Sequence, residues 1–223
     1  KTLSSLTKQV TKVPFEVIFV DNNCTDNTVN IVKSFIGKLN GLKIICEKKQ
    51  SIGAARESGF RNAEAEIIAS ADADAIVPND WISRIFGEFW KKNDLVGIVG
   101  TYVFESKNNF FNAFSKIVMM FADHCHWLLT GSFAFRGLNF AVKKYAWKKA
   151  GGFNKEISAL EDVELSLRVG KLGQIKYLPN LTVITSYRRF EGRFFKQLTK
   201  RANAYIHRVI IRSSKDTDWE ALR

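Results

Sequence analysis

Ile67-Ile68-Ala69-Ser70-Ala71-Asp72-Ala73-Asp74-Ala75 is an apolar run of strand length that leads straight into two carboxylates, with Pro78 shortly after. On an extended chain, side chains two apart share a face, so Asp72 and Asp74 can address one ligand. The carboxyl end of a strand is where open α/β sheets bind their ligands. Two acids with little else around them suit a Mg2+ or Mn2+ ion completed by a substrate's phosphates and waters. Asp-x-Asp alone is also common in polar turns and helix caps, so the flanking sequence must decide between these readings.

Upstream, Leu3, Leu6, Val10 and Val13 recur at helical spacing, and Phe15–Val20 reads as a short buried strand. The polar turn from Asp21 to Asp26 can cap a helix over Asn27–Ile36, which Gly37 and Gly41 close before a strand at Leu42–Cys46. Residues 53–63 look helical, Glu66–Ala71 is the third strand, Asp80–Lys91 a helix and Val96–Phe104 a strand. Strands alternating with helices of this kind predict an α/β fold, a mostly parallel central sheet with helices on both faces. The chain opens on a helix where such a sheet ordinarily opens on a strand and a ligand loop, so a first strand is expected to be lacking. Beyond residue 105, Phe110, Phe111, Phe114, Ile117, Val118 and Phe121 make one greasy helical face. Strands are expected at Phe133–Val142, Ile175–Leu178 and Leu181–Thr185, and helices at Val163–Leu172 and from about Arg193 to Arg212.

The chain has 223 residues, 46% of them apolar, enough for a sizeable core and incompatible with a disordered chain. Its cysteines, Cys24, Cys46 and Cys125, are odd in number and widely spaced, which fits neither a disulfide framework nor a zinc cluster. Asp123-His124-Cys125-His126 superficially suggests a metal site but lacks a second, distant ligand pair. No run approaches 18 uncharged apolar residues and no signal peptide is apparent, so a cytoplasmic setting is expected. The net charge is +12, concentrated late: residues 143–223 hold 18 basic and 8 acidic side chains. A basic pole calls for an anionic partner: nucleic acid, a membrane surface or a phosphorylated substrate.

Two further loops resemble the Asp72–Asp74 loop in position. Val20-Asp21-Asn22-Asn23-Cys24-Thr25-Asp26-Asn27-Thr28 ends one strand, and Gly53-Ala54-Ala55-Arg56 follows another. In the second, small residues permit close backbone approach to a ligand, and Arg56 offers a charge-assisted fork. With these in order, and with Gly137-Leu138-Asn139-Phe140-Ala141-Val142, Gly151-Gly152-Phe153 and Glu161-Asp162-Val163-Glu164-Leu165-Ser166-Leu167-Arg168 behind them, the chain resembles the family 2 glycosyltransferases of the GT-A fold.

That resemblance runs to about Arg189 and implies a nucleotide-diphosphate sugar donor and a divalent metal, Mg2+ or Mn2+. By it, Asp21, Asn22, Gly53 and Arg56 would lie by the donor, Asp72 by the ribose, and Asp74 would ligate the metal, with Asp72 close by. Glu161, Gly137 and Asn139 would face the acceptor, and Asp162 would be the general base. Inverting transfer needs such a base for the acceptor hydroxyl and positive charge on the departing diphosphate. Asp162 sits at a predicted helix N-terminus, where the macrodipole favours negative charge. Arg188 and Arg189 follow a late strand and can clamp phosphate oxygens. The expected organisation is a GT-A-like domain over 1–190, with a donor half (1–105) and an acceptor half (106–190), and a basic amphipathic helical extension over 191–223.

The pattern departs from the family at Cys24, usually Ser, and at Glu57, usually Asn. The expected partners are the nucleotide sugar, a glycan or lipid-linked acceptor, and a membrane surface met peripherally at its cytoplasmic face. The expected setting is cell-envelope or surface glycan synthesis. Rival readings are another metal-dependent nucleotide enzyme such as a nucleotidyltransferase, a non-catalytic fragment, or a basic nucleic-acid-binding module. For the last, no nucleic-acid motif is present, and nucleic acid is not among the expected partners.

Overall fold

A computed structural model describes residues 1–105, 109–157, 159–186, 199 and 202–210. After a short α1 (Thr2–Leu6), β1 (Val17–Asp21) and β2 (Leu42–Cys46) pair in parallel, with α2 (Thr28–Lys33) between them in sequence. The helix α3 (Ile52–Asn62) leads to β3 (Ile67–Ser70), and α4 (Trp81–Lys91) to β4 (Leu95–Phe104). Then come α5 (Asn109–Thr130), β5 (Phe140–Lys143), α6 (Lys144–Lys149), α7 (Glu161–Val169) and β6 (Gln174–Thr185). Helical residues 202–205 run on into a π-helical turn at Ile206–Ile210.

The second sheet has the order β3-β5-β4-β6. Only β5 is reversed within it, antiparallel to both neighbours, while β4 and β6 run parallel. The strand expected in the acceptor half therefore lies between two strands of the donor half, and the two halves share one sheet. Period-2 alternation sends neighbouring side chains to opposite faces: Val17 and Ile67 join one core, Ile18 and Ile68 the other. One core takes Trp81, Ile85 and Phe89 from α4, the other Phe60 from α3, Trp147 from α6 and Leu165 from α7. Each such large side chain contributes about 1.5–3 kcal/mol by leaving water.

Among the described residues no strand lies between β1 and β3. Val17–Val20 and Ile67–Ser70 both border one cavity of about 1670 Å3, and neither strand has a ladder partner on its second edge.

Several elements differ from expectation for local reasons. The first helix stops at Leu6, and Val10 instead donates its N–H to the Asn79 carbonyl. Residues 133–139 are not strand: Asn139 N–H donates to the Arg136 carbonyl at 2.8 Å, a turn that carries Gly137 into the cavity wall. The two late strands are one, β6, whose register against β4 shifts between Gly100 and Thr101, so that Pro179, Asn180 and Leu181 are accommodated as a bulge. Asp72–Asp74 is not extended either. Ala75 N–H returns to the Asp72 carbonyl at 3.0 Å, so the shared-face argument for the two acids gives way to a turn. Arg188, Arg189 and most of the expected basic helix lie outside the described residues.

Candidate active site

Arg56 is the hub. It stands on α3, whose N-terminus is capped by the Ser51 hydroxyl accepting from Ala54 N–H at 3.0 Å. Its guanidinium donates to Asp72 Oδ1 at 2.9 Å and pairs on its other side with Glu161. Glu161 is buried, its side chain only 4% exposed, so this is an interior ion pair whose loss would leave an uncompensated charge. The guanidinium also lies where a side chain on residue 137 would begin, and only glycine leaves it that room.

Gly137 joins this hub to Asp162. Its N–H donates to Asp162 Oδ2 at 2.6 Å and its carbonyl accepts from the Ser70 hydroxyl at 2.6 Å. Asp162 Oδ1 accepts from Val163 N–H at 2.8 Å, so the half-buried carboxylate is fixed through both oxygens. Leu160, just before the Glu161–Asp162 pair, holds a left-handed backbone (φ 57°, ψ 33°). That conformation costs a branched residue about 1–2 kcal/mol and persists only where the surroundings over-determine it. Strain at the residue that launches an acidic pair is what a positioned site looks like.

Asp74 occupies the turn after β3, its carboxylate 3.5 Å from the Thr185 hydroxyl at the end of β6. Arg56, Asp72, Asp74, Gly137, Glu161 and Asp162 all border the cavity, as does Asn22. Among the described residues no three His, Cys, Asp or Glu side chains converge to hold a metal on their own. A single carboxylate beside a hydroxyl is a fitting donor set for a hard cation that takes its remaining ligands from phosphates and water.

Other expected site residues have structural duties. Asn139 is fully buried; its amide donates to the Thr101 and Leu181 carbonyls, both at 2.8 Å, and its oxygen accepts from the Trp81 indole at 2.9 Å. It ties β4, β6 and α4 together and has no open face toward an acceptor. Glu161 likewise serves Arg56 rather than open space. Gly53 permits a close approach, but to the Asn154 carbonyl, 2.8 Å from where a Cβ would stand, not to a ligand. Asp21 folds back to accept from Cys24 N–H at 2.9 Å, and Asn22 bonds the Glu47 and Lys49 carbonyls, both at 2.8 Å, lacing the β1 and β2 loops. Glu57 is buried and accepts from Phe153 N–H at 2.8 Å and from Arg61 at 2.6 Å, fastening α3 to the Gly152–Phe153 turn.

The far wall was not legible as a site. Asp123 on α5 pairs with Arg136, the residue preceding Gly137, and both line the cavity. Burial raises the Asp123 carboxyl above its usual range against the pull of Arg136. His126, one turn on, shares a 2.6 Å hydrogen bond with the Tyr205 hydroxyl, and burial, aided by Arg136, pushes its imidazole down to about 4. His124 instead bonds the Met120 carbonyl. The two histidines thus point to different partners, and the sequence signal that drew notice there was of the wrong kind.

An α/β sheet with helices packed against it and one reversed strand is the architecture of the GT-A glycosyltransferases. The chain belongs to glycosyl transferase family 2, whose pattern matches residues 1–158. It is 26% identical over 174 residues to a probable glycosyltransferase, YdaM, of Bacillus subtilis, covering 74% of this chain and 41% of that protein. It is 27% identical over 163 residues to a beta-monoglucosyldiacylglycerol synthase of Nostoc, covering 70% of this chain and 34% of that one. The chain thus spans less than half the length of either relative. Among solved structures, a mannosyltransferase of Pyrobaculum calidifontis in complex with GDP-Man and Mn2+ superposes with a TM-score of 0.68 at 21% identity, covering 96% of this chain and 60% of that one.

Proposed function

We propose that the chain carries the catalytic site of a metal-assisted, inverting glycosyltransferase that moves a sugar from a nucleotide diphosphate to an acceptor hydroxyl or lipid phosphate. The observation that supports this best is the Arg56 array, in which one guanidinium links Asp72 to Glu161 and packs on the glycine that holds Asp162. The array borders the same cavity as Asp74. The family match and the GDP-Man and Mn2+ bound by the mannosyltransferase add a donor class to that geometry.

In this reading Asp162 takes the proton of the acceptor hydroxyl as its oxygen attacks the anomeric carbon, and the bond to the diphosphate breaks with its electron pair leaving on phosphate. Gly137 and Val163 N–H groups hold the base in place without using its remaining lone pairs. Arg56 keeps Asp72 oriented toward the donor's ribose. A Mg2+ or Mn2+ ion held by Asp74 would supply the positive charge that stabilises the leaving diphosphate. Synthesis of cell-envelope or surface glycans is the setting that this proposal assigns to it.

Calorimetric titration with UDP and GDP, with and without Mn2+, tests the donor site. Metal-dependent binding of one nucleotide is expected, lost in Asp74→Ala and retained in Asp162→Asn. With a donor sugar and acceptor, Asp162→Asn should lower turnover by about 10²–10⁴-fold, the range for losing a general base. Full turnover in Asp162→Asn would instead favour nucleotidyl transfer, which needs no acid there.

A further inference from the structure

The helix α5 has two unlike faces. Met119, Ala122 and Asp123 border the cavity, and His126 reaches Tyr205. On the opposite side Phe114, Ile117, Val118, Phe121, Leu128 and Leu129 recur at spacings of three, four and seven and are all exposed, Phe121 by 71% and Leu128 by 75%. At 100° per residue they form one stripe about 120° wide. Neither Lys116 nor Asp123, the two charged residues of the helix, falls on it. From Phe114 to Leu129 the stripe runs about 24 Å along the helix. An uncharged stripe of that length on a chain this basic marks an interaction surface. Phe110 and Phe111 were expected on the same face, but their side chains lie outside the described residues.

From this we infer that α5 lies in the plane of an anionic membrane, its stripe in the acyl boundary and its inner face turned to the cavity. Charge chooses the occupant. Tyr205 anchors the C-terminal helical residues beside α5, and they belong to the most basic stretch of the sequence: residues 188–212 carry eight Lys and Arg against one Glu. Ile206 and Ile210 in the same segment are exposed as well. An apolar stripe on a chain whose sequence is this basic fits acyl chains under anionic headgroups. A second copy fits poorly, because each copy brings a net charge of +12. No described helix is long and apolar enough to cross a membrane, which agrees with α5 lying flat. Docked this way, the cavity lies behind α5, about one helix diameter from the bilayer, so the acceptor is one carried by lipid. That last step rests on the transferase reading; the docking itself does not.

Co-sedimentation of the full chain with vesicles of equal phosphatidylglycerol and phosphatidylcholine, against phosphatidylcholine alone, tests it. Binding is expected to the anionic vesicles, weakened by salt. The triple variant Ile117→Ser/Phe121→Ser/Leu128→Ser should partition at least tenfold less while keeping the parent's circular dichroism and nucleotide binding. Phe121→Trp should be quenched by brominated acyl chains beyond the parent's own level. Absence of vesicle binding, an unchanged partition in the triple variant, or no added quenching would overturn the docking. So would a concentration-dependent dimer that the triple variant abolishes, since the stripe would then be covered by a second copy. Nucleotide binding that persists without vesicle binding would sink this inference and leave the transferase reading standing.

Discussion

Between pH 6.5 and 4 an unfolded chain protonates its histidines, whereas folded His126 stays neutral until about 4. The unfolded state binds the extra proton in that window, so the stability His126 contributes is complete above 6.5 and is lost as pH falls toward 4. The loss is on the order of 3 kcal/mol for a shift of this size. Asp123, raised by burial, acts in the opposite sense, and comparing variants cancels it. Urea unfolding of His126→Phe and the parent at pH 7 and pH 4.5 should show the variant losing clearly less stability on acidification. In the sequence Asp123 and His126 drew notice only as part of a metal-like run, because a polar side chain in a core and one in a site look alike. Arg56, Asp72, Asp74 and Asp162, on which the proposed site relies, each sit in a motif at a strand or helix end, and the fold brings all four to the wall of one cavity. Asn139 and Glu161 sat in equally good motifs, yet the fold bonds one inside the sheet and the other under Arg56.

At the level of elements, continuous apolar runs located β1 to β4 to within a residue or two, since strands buried on both faces need no alternation. Phe133–Val142 was equally apolar and only its last part is strand, because the turn at 136–139 is required to bring Gly137 against Arg56. Nothing local announces a turn dictated by a partner so distant in sequence. The same turn delivers Asn139, which stitches β4 to β6 at the bulge where Thr101 and Thr182 hydroxyls meet at 2.8 Å. Asn139→Leu would strand the Trp81 indole and two carbonyls in the interior, at about 1–3 kcal/mol for each unsatisfied group. A drop of about 3 kcal/mol or more in the urea unfolding free energy is the expected outcome, larger than for replacing exposed Asn30.

For the molecule as a whole, composition pointed to an anionic partner, and the two proposals meet that demand with a nucleotide in the cavity and an anionic surface against α5. Ligand linkage offers a measure of the first. A nucleotide and Mn2+ at a hundredfold excess over the dissociation constant should stabilise the chain by about 2.7 kcal/mol, or about 5–10 °C in Tm. Asp74→Ala should lose most of that shift while its unliganded Tm changes little, as its carboxylate is only half-buried.

The gap between β1 and β3 has a consequence for how the protein breathes. Among the described residues no ladder joins the two-stranded and four-stranded sheets; side-chain packing, the helices and the contacts of Glu16 and Lys43 with residues 64–65 couple them, so the smaller sheet can open without unzipping the larger. Native-state hydrogen exchange should therefore resolve two tiers. Amides of β1 and β2, such as Phe19 and Ile44, would exchange through a low-energy partial opening. Those of Val99, Val142 and Val183, in the heart of the four-stranded sheet, would wait for global unfolding. A nucleotide gripped between the two sheets would pull the tiers together, slowing exchange in β1 by more than in β4. On the proposed reading, the cavity that would take the donor is thus also the line along which the described residues would part first, and a bound nucleotide would hold it shut.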